Sequence, residues 1–371
     1  MRIVKVESFP ISVSLKEAFV MSKSTTTSVL SLIIKITTES GLQGVGEARV
    51  GYNTGFTHEN IEAMKIIVDK YYGPALMGGN PLTINGLMDK VNAAWEAGYT
   101  ITKSGIEMAL YDIAGKHHRV PVAELLGGIY HKEIGLVGSV SCGEPEKMAV
   151  QAIHWAEIGH KVLKVKIGKG ADIDLDVKRV KAVRDAVGNK IELRLDCNSI
   201  YRLDTAFRLI KQLQKFDPAF LEDPIDRWNI DGMASLTKVS DIPICVDNII
   251  FTPQDAFNVL SKGAGHVIKV KLQRVGGFKN ALAIIAIAEA AGVPVVVGRG
   301  STLSISSAAE HQLIAASRNV IPWGENTGPQ KQEEDIVKVQ PRIKGGYVTY
   351  PSEIGLGVEL DTDKISRYLI D

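Results

Sequence analysis

From about Ile134 onward, short apolar runs alternate with amphipathic stretches at intervals of roughly 25–30 residues, the spacing of βα units. The runs are Gly135–Ser141, Val162–Ile167, Ile191–Asp196, Ala219–Glu222, Ile242–Val246, Gly265–Val270, Val293–Gly298 and Asn319–Trp323. Stretches such as Asp174–Val187 and Thr205–Lys215 supply the intervening helices. About eight units favour an α/β fold closed into a (β/α) barrel over an open doubly wound sheet. No G-x-G-x-x-G follows a first strand, which also argues against a dinucleotide fold. In a barrel of this kind the chemistry gathers at the C-terminal strand ends.

Ahead of the barrel the pattern is α+β. Val4–Val13 and Ser28–Thr37 alternate as strands, and Glu39-Ser40-Gly41 turns the second into Gly44–Ala48. Helical patterns follow near Asn60–Tyr72, Leu82–Ala97 and Ser104–His117. Two polar stretches, about 15–27 and 51–60, read as mobile loops that shape substrate specificity. The expected division is a cap over 1–128, a barrel over 129–344, and a strand-and-turn tail over 345–371 that packs back on the cap.

Net charge is +1, so there is no electrostatic case for nucleic acid or a membrane surface. No run of about 18 apolar residues predicts a membrane span. The N-terminus enters strand-like alternation at once, without the pattern of a signal peptide. Cys142, Cys197 and Cys245 form neither a CxxC pair nor a disulfide framework and read as buried thiols. The expected location is the cytoplasm.

Reading the strand ends in order gives a charged constellation. Strand two carries Lys164 and Lys166, which share a face because side chains alternate. Such a strand is either a half-solvated edge or part of an active site. In the second case, repulsion between the ammonium groups lowers the pKa of at least one, as a general base requires. Strand three ends in Asp196-Cys197-Asn198, strand four in Glu222-Asp223-Pro224 and strand five in Asp247-Asn248. Strand six ends in Lys269-Val270-Lys271. Three carboxylates that converge need a counter-charge, and oxygen-only ligands favour Mg2+ over zinc.

The run K-x-K, D-x-N, E-D-P, a strand-five Asp and K-L-x-R-x-G-G (Lys271 to Gly277) resembles the enolase superfamily, muconate-lactonizing subgroup. The segments Ala109–Lys116 and Pro121–Gly128 are similar to that family's join between cap and barrel. The resemblance implies a (β/α)7β modified TIM barrel with an α+β capping domain completed by the C-terminal tail. It implies that Asp196, Glu222 and Asp247 hold Mg2+, with Mn2+ as a substitute, and that Lys166 and Lys271 face each other as acid/base groups. Lys164 then tunes Lys166 beside the substrate carboxylate, and Asn198 contacts that carboxylate or supports a metal ligand. The mandelate-racemase branch uses a histidine after strand seven, where this chain has Val297-Gly298-Arg299-Gly300-Ser301. The chain's eight histidines fall elsewhere and read as loop, helix or core residues.

Arg299 would either grip a second substrate carboxylate or pair with a surface acid. The helix expected over Leu303–Ser317 offers N–H groups to an anion. Glu325 begins an E-x-x-G-P that resembles the cycloisomerases' strand eight; dipeptide epimerases carry D-x-D there to hold an ammonium. Tyr52, on the second loop, is a further substrate-binding candidate. The expected activity is therefore Mg2+-dependent proton transfer α to a carboxylate through an enolate, first as a cycloisomerase of the muconate type acting on a small carboxylate or dicarboxylate. Alternatives are a racemase or epimerase of an N-acyl amino acid, dipeptide or proline derivative, a hydroxy-acid dehydratase, or a barrel that only binds carboxylates. The partner is a small-molecule carboxylate, and self-association into a homo-oligomer is expected.

Overall fold

The computed structural model describes residues 1–50, 57–349 and 353–370. Three antiparallel strands open the chain: β1 (Ile3–Val20), β2 (Thr25–Thr38) and β3 (Gln43–Arg49). Alternation sends the two faces of β2 to different cores. Leu32, Ile34 and Ile36 pack with the cap helices, whereas Val29 and Ile33 join the barrel's cluster. The cap helices are α1 (Ile61–Ile67), continued by a π turn at Val68–Tyr72 into α2 (Gly73–Leu76), then α3 (Ile84–Ala94), α4 (Thr100–His118) and α5 (Val122–Leu125). Strand β3 lies almost on the α4 backbone: a Cβ at Gly46 would stand 1.8 Å from the Gly105 carbonyl oxygen, so only glycine fits there.

Residues 15–27, expected as a loop, form the far end of the β1–β2 hairpin, with a register shift between Ser14 and Phe19. The hairpin end is tied to the barrel mouth. Cys142 N–H donates to Val20 O at 3.0 Å, and Lys23 Nζ donates to Ser199 O at 2.8 Å.

The barrel strands are β4 (Glu133–Val140), β5 (Val162–Lys166), β6 (Glu192–Asp196), β7 (Phe220–Glu222), β8 (Ile244–Val246), β9 (Val267–Val270), β10 (Val295–Val297) and β11 (Trp323–Gly324). Seven helices join them: α6 (Pro145–Glu157), α7 (Ile173–Val187), α8 (Leu203–Leu213), α9 (Ile230–Val239), α10 (Pro253–Ser261), α11 (Phe278–Ala290) and α12 (Ser304–Ala316). Each strand pairs in parallel with the next from β4 to β10, and β11 pairs with β4. Val320 bridges to Val295, and Glu325 N–H donates to Val297 O at 3.3 Å, so the last strand segment also meets β10 and the ring closes. The architecture is a capped (β/α)7β barrel. Phe220, Cys245, Val267 and Val296 form a small apolar cluster on four adjacent strands. Glu222, Asp247 and Lys269 each stand two residues further along, on the same face and one step nearer the mouth.

The tail departs from the strand-and-turn expectation. After β12 (Ile343–Lys344) and β13 (Tyr347–Thr349), which pairs antiparallel with β4, it forms the helix α13 (Thr362–Tyr368). Asp361 caps that helix by accepting from Asp363 and Lys364 N–H. Ile370 N–H then donates to Pro10 O at 3.0 Å, returning the chain to β1. Among the described residues no helix is long and apolar enough to cross a membrane.

Candidate active site

Parallel register assembles the first residues of the site. Lys166 pairs across the sheet with Asp196, and Asp196 with Glu222, so one basic and two acidic side chains meet in neighbouring positions. All five residues of β5 are buried, which rules out the solvated-edge alternative for Lys164 and Lys166. Asp196, Glu222 and Asp247 are buried as well.

The charges form two tiers. The deeper one comes from alternate strands, the pattern by which TIM barrels fill their interior. Lys164 on β5, Glu222 on β7, Lys269 on β9 and Glu325 directly after β11 make up this tier. Lys164 Nζ donates to Glu222 Oε1 at 2.7 Å and to Glu325 Oε2 at 3.0 Å. Lys269 Nζ donates to the same Glu325 oxygen and stands 3.4 Å from both oxygens of Glu222. Each lysine thus touches both glutamates, and the four close a ring of alternating charge. In the upper tier Lys166 Nζ meets Asp196 Oδ2 at 2.5 Å and Asn198 Oδ1 at 3.4 Å. Across from it Lys271 donates to Asp247 Oδ2, and Arg274 Nη2 lies 2.8 Å from Asp247 Oδ1. Lys164 joins the tiers through Asp196 Oδ2 at 2.8 Å.

A cavity of about 430 Å³ opens above these groups. Phe19 and Met21 of the hairpin, Ile101 of α4, Val137 of β4 and Trp228 complete its apolar walls. The hairpin tip therefore closes one side of the site.

Burial alone favours neutral Lys164, yet Asp196, Glu222 and Glu325 hold its ammonium well above the ordinary range. The mutual repulsion expected from sequence is thus outweighed at Lys164. Of the strand-end lysines the depressed one is Lys271, lowered to about 8 by burial against the attraction of Asp247, with Arg274 and Lys269 adding repulsion. Burial and repulsion from Asp196 raise Glu222 to about 8. Burial and Asp247 raise Asp223 to about 7. Against burial, Arg274 and Lys271 hold Asp247 well below its usual range, and Lys164 and Lys269 bring Glu325 to about 2.

Asn198 lines the cavity in a left-handed conformation, φ 51°, with its N–H donating to Asp196 Oδ1 at 2.9 Å. Arg299 also lines it: its guanidinium donates to the Arg49 and Val50 carbonyls at 3.0 and 3.2 Å and to Gln273 Oε1 at 2.9 Å. The N-terminus of α12, expected to receive an anion, is already occupied by the protein. Glu47 accepts from Leu303 and Ser306 N–H, and Asp335 accepts from Ser304 N–H. Tyr52 lies outside the described residues.

Three residues of the site escaped the sequence reading: Lys269, Asp223 and Arg274. Their signals were present. Lys269-x-Lys271 repeats the spacing of Lys164-x-Lys166, Asp223 is the D of E-D-P, and Arg274 is the R of K-L-x-R. Among the described residues, Glu222, Asp223 and Asp247 offer carboxylate oxygens within 4.8 Å of one another. Asp223 also accepts from Asp247 and Asn248 N–H at 3.0 and 2.9 Å, so it shapes the turn that carries Asp247.

Buried carboxyls around the site make a pH prediction. Burial raises Glu107 to about 7, Glu310 to about 8 and Asp335 to about 6. Each then holds a proton in the folded chain at a pH where the unfolded chain has lost it. The folded state binds more protons over that window, so stability falls as pH rises from about 5 to 8. Urea unfolding of EDTA-treated protein should show a loss of about 2 kcal/mol or more between these limits. A flat profile would mean that these carboxyls titrate normally.

Taken together, a closed barrel with acids and bases on one rim and a cap over its mouth defines an acid/base enzyme of the capped TIM-barrel class. Residues 3–127 match the mandelate racemase/muconate lactonizing enzyme N-terminal domain, and residues 147–364 match the enolase C-terminal domain-like family. The chain belongs to the enolase superfamily, muconate-lactonizing subgroup. It is 32% identical to muconate cycloisomerase 1 of Pseudomonas putida, over 91% of this chain and 90% of that protein. The crystal structure of N-succinyl Arg/Lys racemase from Bacillus cereus superposes with a TM-score of 0.95 at 28% identity, covering 100% of this chain and 99% of that one. A dipeptide epimerase from Enterococcus faecalis V583, complexed with Mg and L-Leu-L-Tyr, gives 0.90 at 30% identity, covering 97% and 100%. The enzyme is thus an isomerase of the type that performs metal-assisted proton abstraction next to a carboxylate.

Proposed function

We propose that the chain moves a proton on and off the carbon α to a substrate carboxylate, with Lys166 and Lys271 as the two bases, as a racemase or epimerase. The observation that carries this reading is their placement on strands two and six. In an eight-stranded ring these are diametrically opposed, so the two amines approach a bound α-carbon from opposite faces. One amine accepts the proton as the other, protonated, delivers one from the far side. At a pKa of about 8, roughly a tenth of Lys271 is neutral at pH 7, against less than a thousandth for an ordinary lysine.

The acidic residues fit a divalent cation. The donor set is all oxygen: Glu222, Asp223 and Asp247 crowd within 4.8 Å, and Asp196 stands beside Glu222 in the sheet register. Asp247 Oδ1 faces the Arg274 guanidinium at 2.8 Å, and Asp196 and Glu222 share the Lys164 ammonium as their counter-charge. Asp196, Glu222 and Asp247 would hold Mg2+, with Mn2+ as a substitute. Bound there, the ion supplies positive charge where the carboxylate gains its second negative charge. Lys164 steadies the carboxylates from below, Asn198 orients the substrate from the rim, and Phe19 and Met21 exclude water.

Cycloisomerisation is the second reading. It is favoured by the likeness to the Pseudomonas putida enzyme, and it needs only one of the two bases. Proton NMR in D2O over a panel of N-acyl amino acids, dipeptides and dicarboxylates separates the two. Exchange of the α-proton with racemisation is expected with Mg2+ present, and its loss with EDTA and in D247N. Mg2+-independent exchange, or exchange undiminished in D247N, would overturn the ligand assignment; no exchange on any panel member would overturn the proton-transfer reading.

A further inference from the structure

Asp176, on the first turn of α7, is fully buried and lies outside the cavity, and the proposed chemistry leaves it without a task. Its carboxylate is nevertheless surrounded by donors. Oδ2 accepts from Gly168 N–H at 3.0 Å and from the Tyr201 hydroxyl. Oδ1 accepts from Arg179 Nη1 at 2.7 Å, and the same guanidinium donates to the Gly143 carbonyl at 2.8 Å and the Lys169 carbonyl at 3.3 Å. The turns after β4, β5 and β6 thus converge on one buried ion pair. The middle turn follows Lys166 by two residues and is tightly seated. Gly168 has φ 96°, and a Cβ there would stand 2.6 Å from Ile200 Cγ2 and 3.1 Å from the Cys197 carbonyl oxygen. The third turn carries Asn198, whose side chain meets Lys166 at 3.4 Å. The turn after β9 is held through other partners: Gln273 Nε2 donates to Glu47 O at 3.0 Å, and Arg274 Nε to Ile250 O at 2.9 Å.

We propose that Asp176 is a positioning residue for Lys166: by clamping the β5 and β6 turns together it fixes the reach of that amine toward the substrate's α-carbon and leaves Lys271 unaffected. This rests on the two-base reading and says what holds one of the bases in place. A buried carboxylate accepting charge-assisted and neutral hydrogen bonds from three directions resists displacement of each donor. A reacting group misplaced by about 1 Å loses on the order of 10²-fold in rate. Lys271 stands across the barrel on a turn with separate supports, so damage to the clamp should be one-sided. A carboxylate that served stability alone would, when altered, slow both directions alike or lower only the melting temperature.

Two measurements on the Mg2+-loaded protein test this, with circular dichroism and thermal melts on every variant. The first is hydrogen-exchange mass spectrometry without substrate. In D176N the Gly168 amide should exchange at least tenfold faster, while the peptide over 270–277 keeps its wild-type rate. The second is α-deuterium uptake in D2O from the L and D forms of N-acetylleucine and N-succinylleucine. D176N should lose at least tenfold from the antipode that K166A silences and less than threefold from the one that K271A silences. Y201F removes one donor and no charge; it should move both measurements in the same sense by at least threefold, and it decides the matter if D176N does not fold. Equal losses from both antipodes, an unchanged ratio in the folded variants, or undiminished Gly168 protection in them overturns the proposal. Faster Gly168 exchange with no α-deuterium uptake by the wild type would sink the two-base reading and leave the clamp on the β5 turn standing.

Discussion

K166A and K271A should each abolish exchange from one antipode of the substrate while leaving the fold intact. The expected loss is on the order of 10³-fold, the usual contribution of a positioned acid/base group. The fold should survive because neither acid partner is orphaned. Asp196 keeps Lys164, and Asp247 keeps Arg274. Exchange into D2O, started separately from the L and D forms, reads each base in turn. K166A should silence one direction and K271A the other. Full turnover of both antipodes by K271A would remove the second base and favour a one-base cycloisomerisation.

The second large effect is structural. Glu47, fully buried on β3, receives Ser31 Oγ at 2.9 Å, Leu303 N–H at 3.2 Å and Ser306 N–H at 3.0 Å. It thereby joins the cap to the N-terminus of the helix after strand seven. E47A strands three buried donors, at a cost of roughly 1–3 kcal/mol each where no water replaces the carboxylate. Urea unfolding should report a loss on the order of 3 kcal/mol, with the cap loosening before the barrel. A midpoint unchanged from wild type would show that the cap docks by apolar contact alone.

The barrel was legible because its signal is periodic and local: apolar runs of strand length, amphipathic helices, and polar residues at the strand ends. Asp196, Glu222 and the lysines of β5 could be placed together because parallel register is regular. What sequence did not show was the outcome of competition between distant charges. Repulsion between Lys164 and Lys166 was visible two residues apart, whereas Glu325, which helps to reverse its effect at Lys164, is 161 residues away. The same blindness hid the occupant of the α12 terminus, since Glu47 precedes Leu303 by 256 positions. The 15–27 segment is polar on strand, so alternation weakened there and it read as a loop. The tail helix is short, at seven residues, and its signature is little more than a capping aspartate.

Arg299 has one more consequence. Its guanidinium grips the carbonyls of Arg49 and Val50, the last residue described before the segment that begins at Gly51. The barrel thus pins the chain at the end of β3. A sequence change beyond Val50 therefore leaves the anchoring stem, and with it the reactive rim, tied to the barrel by one buried guanidinium.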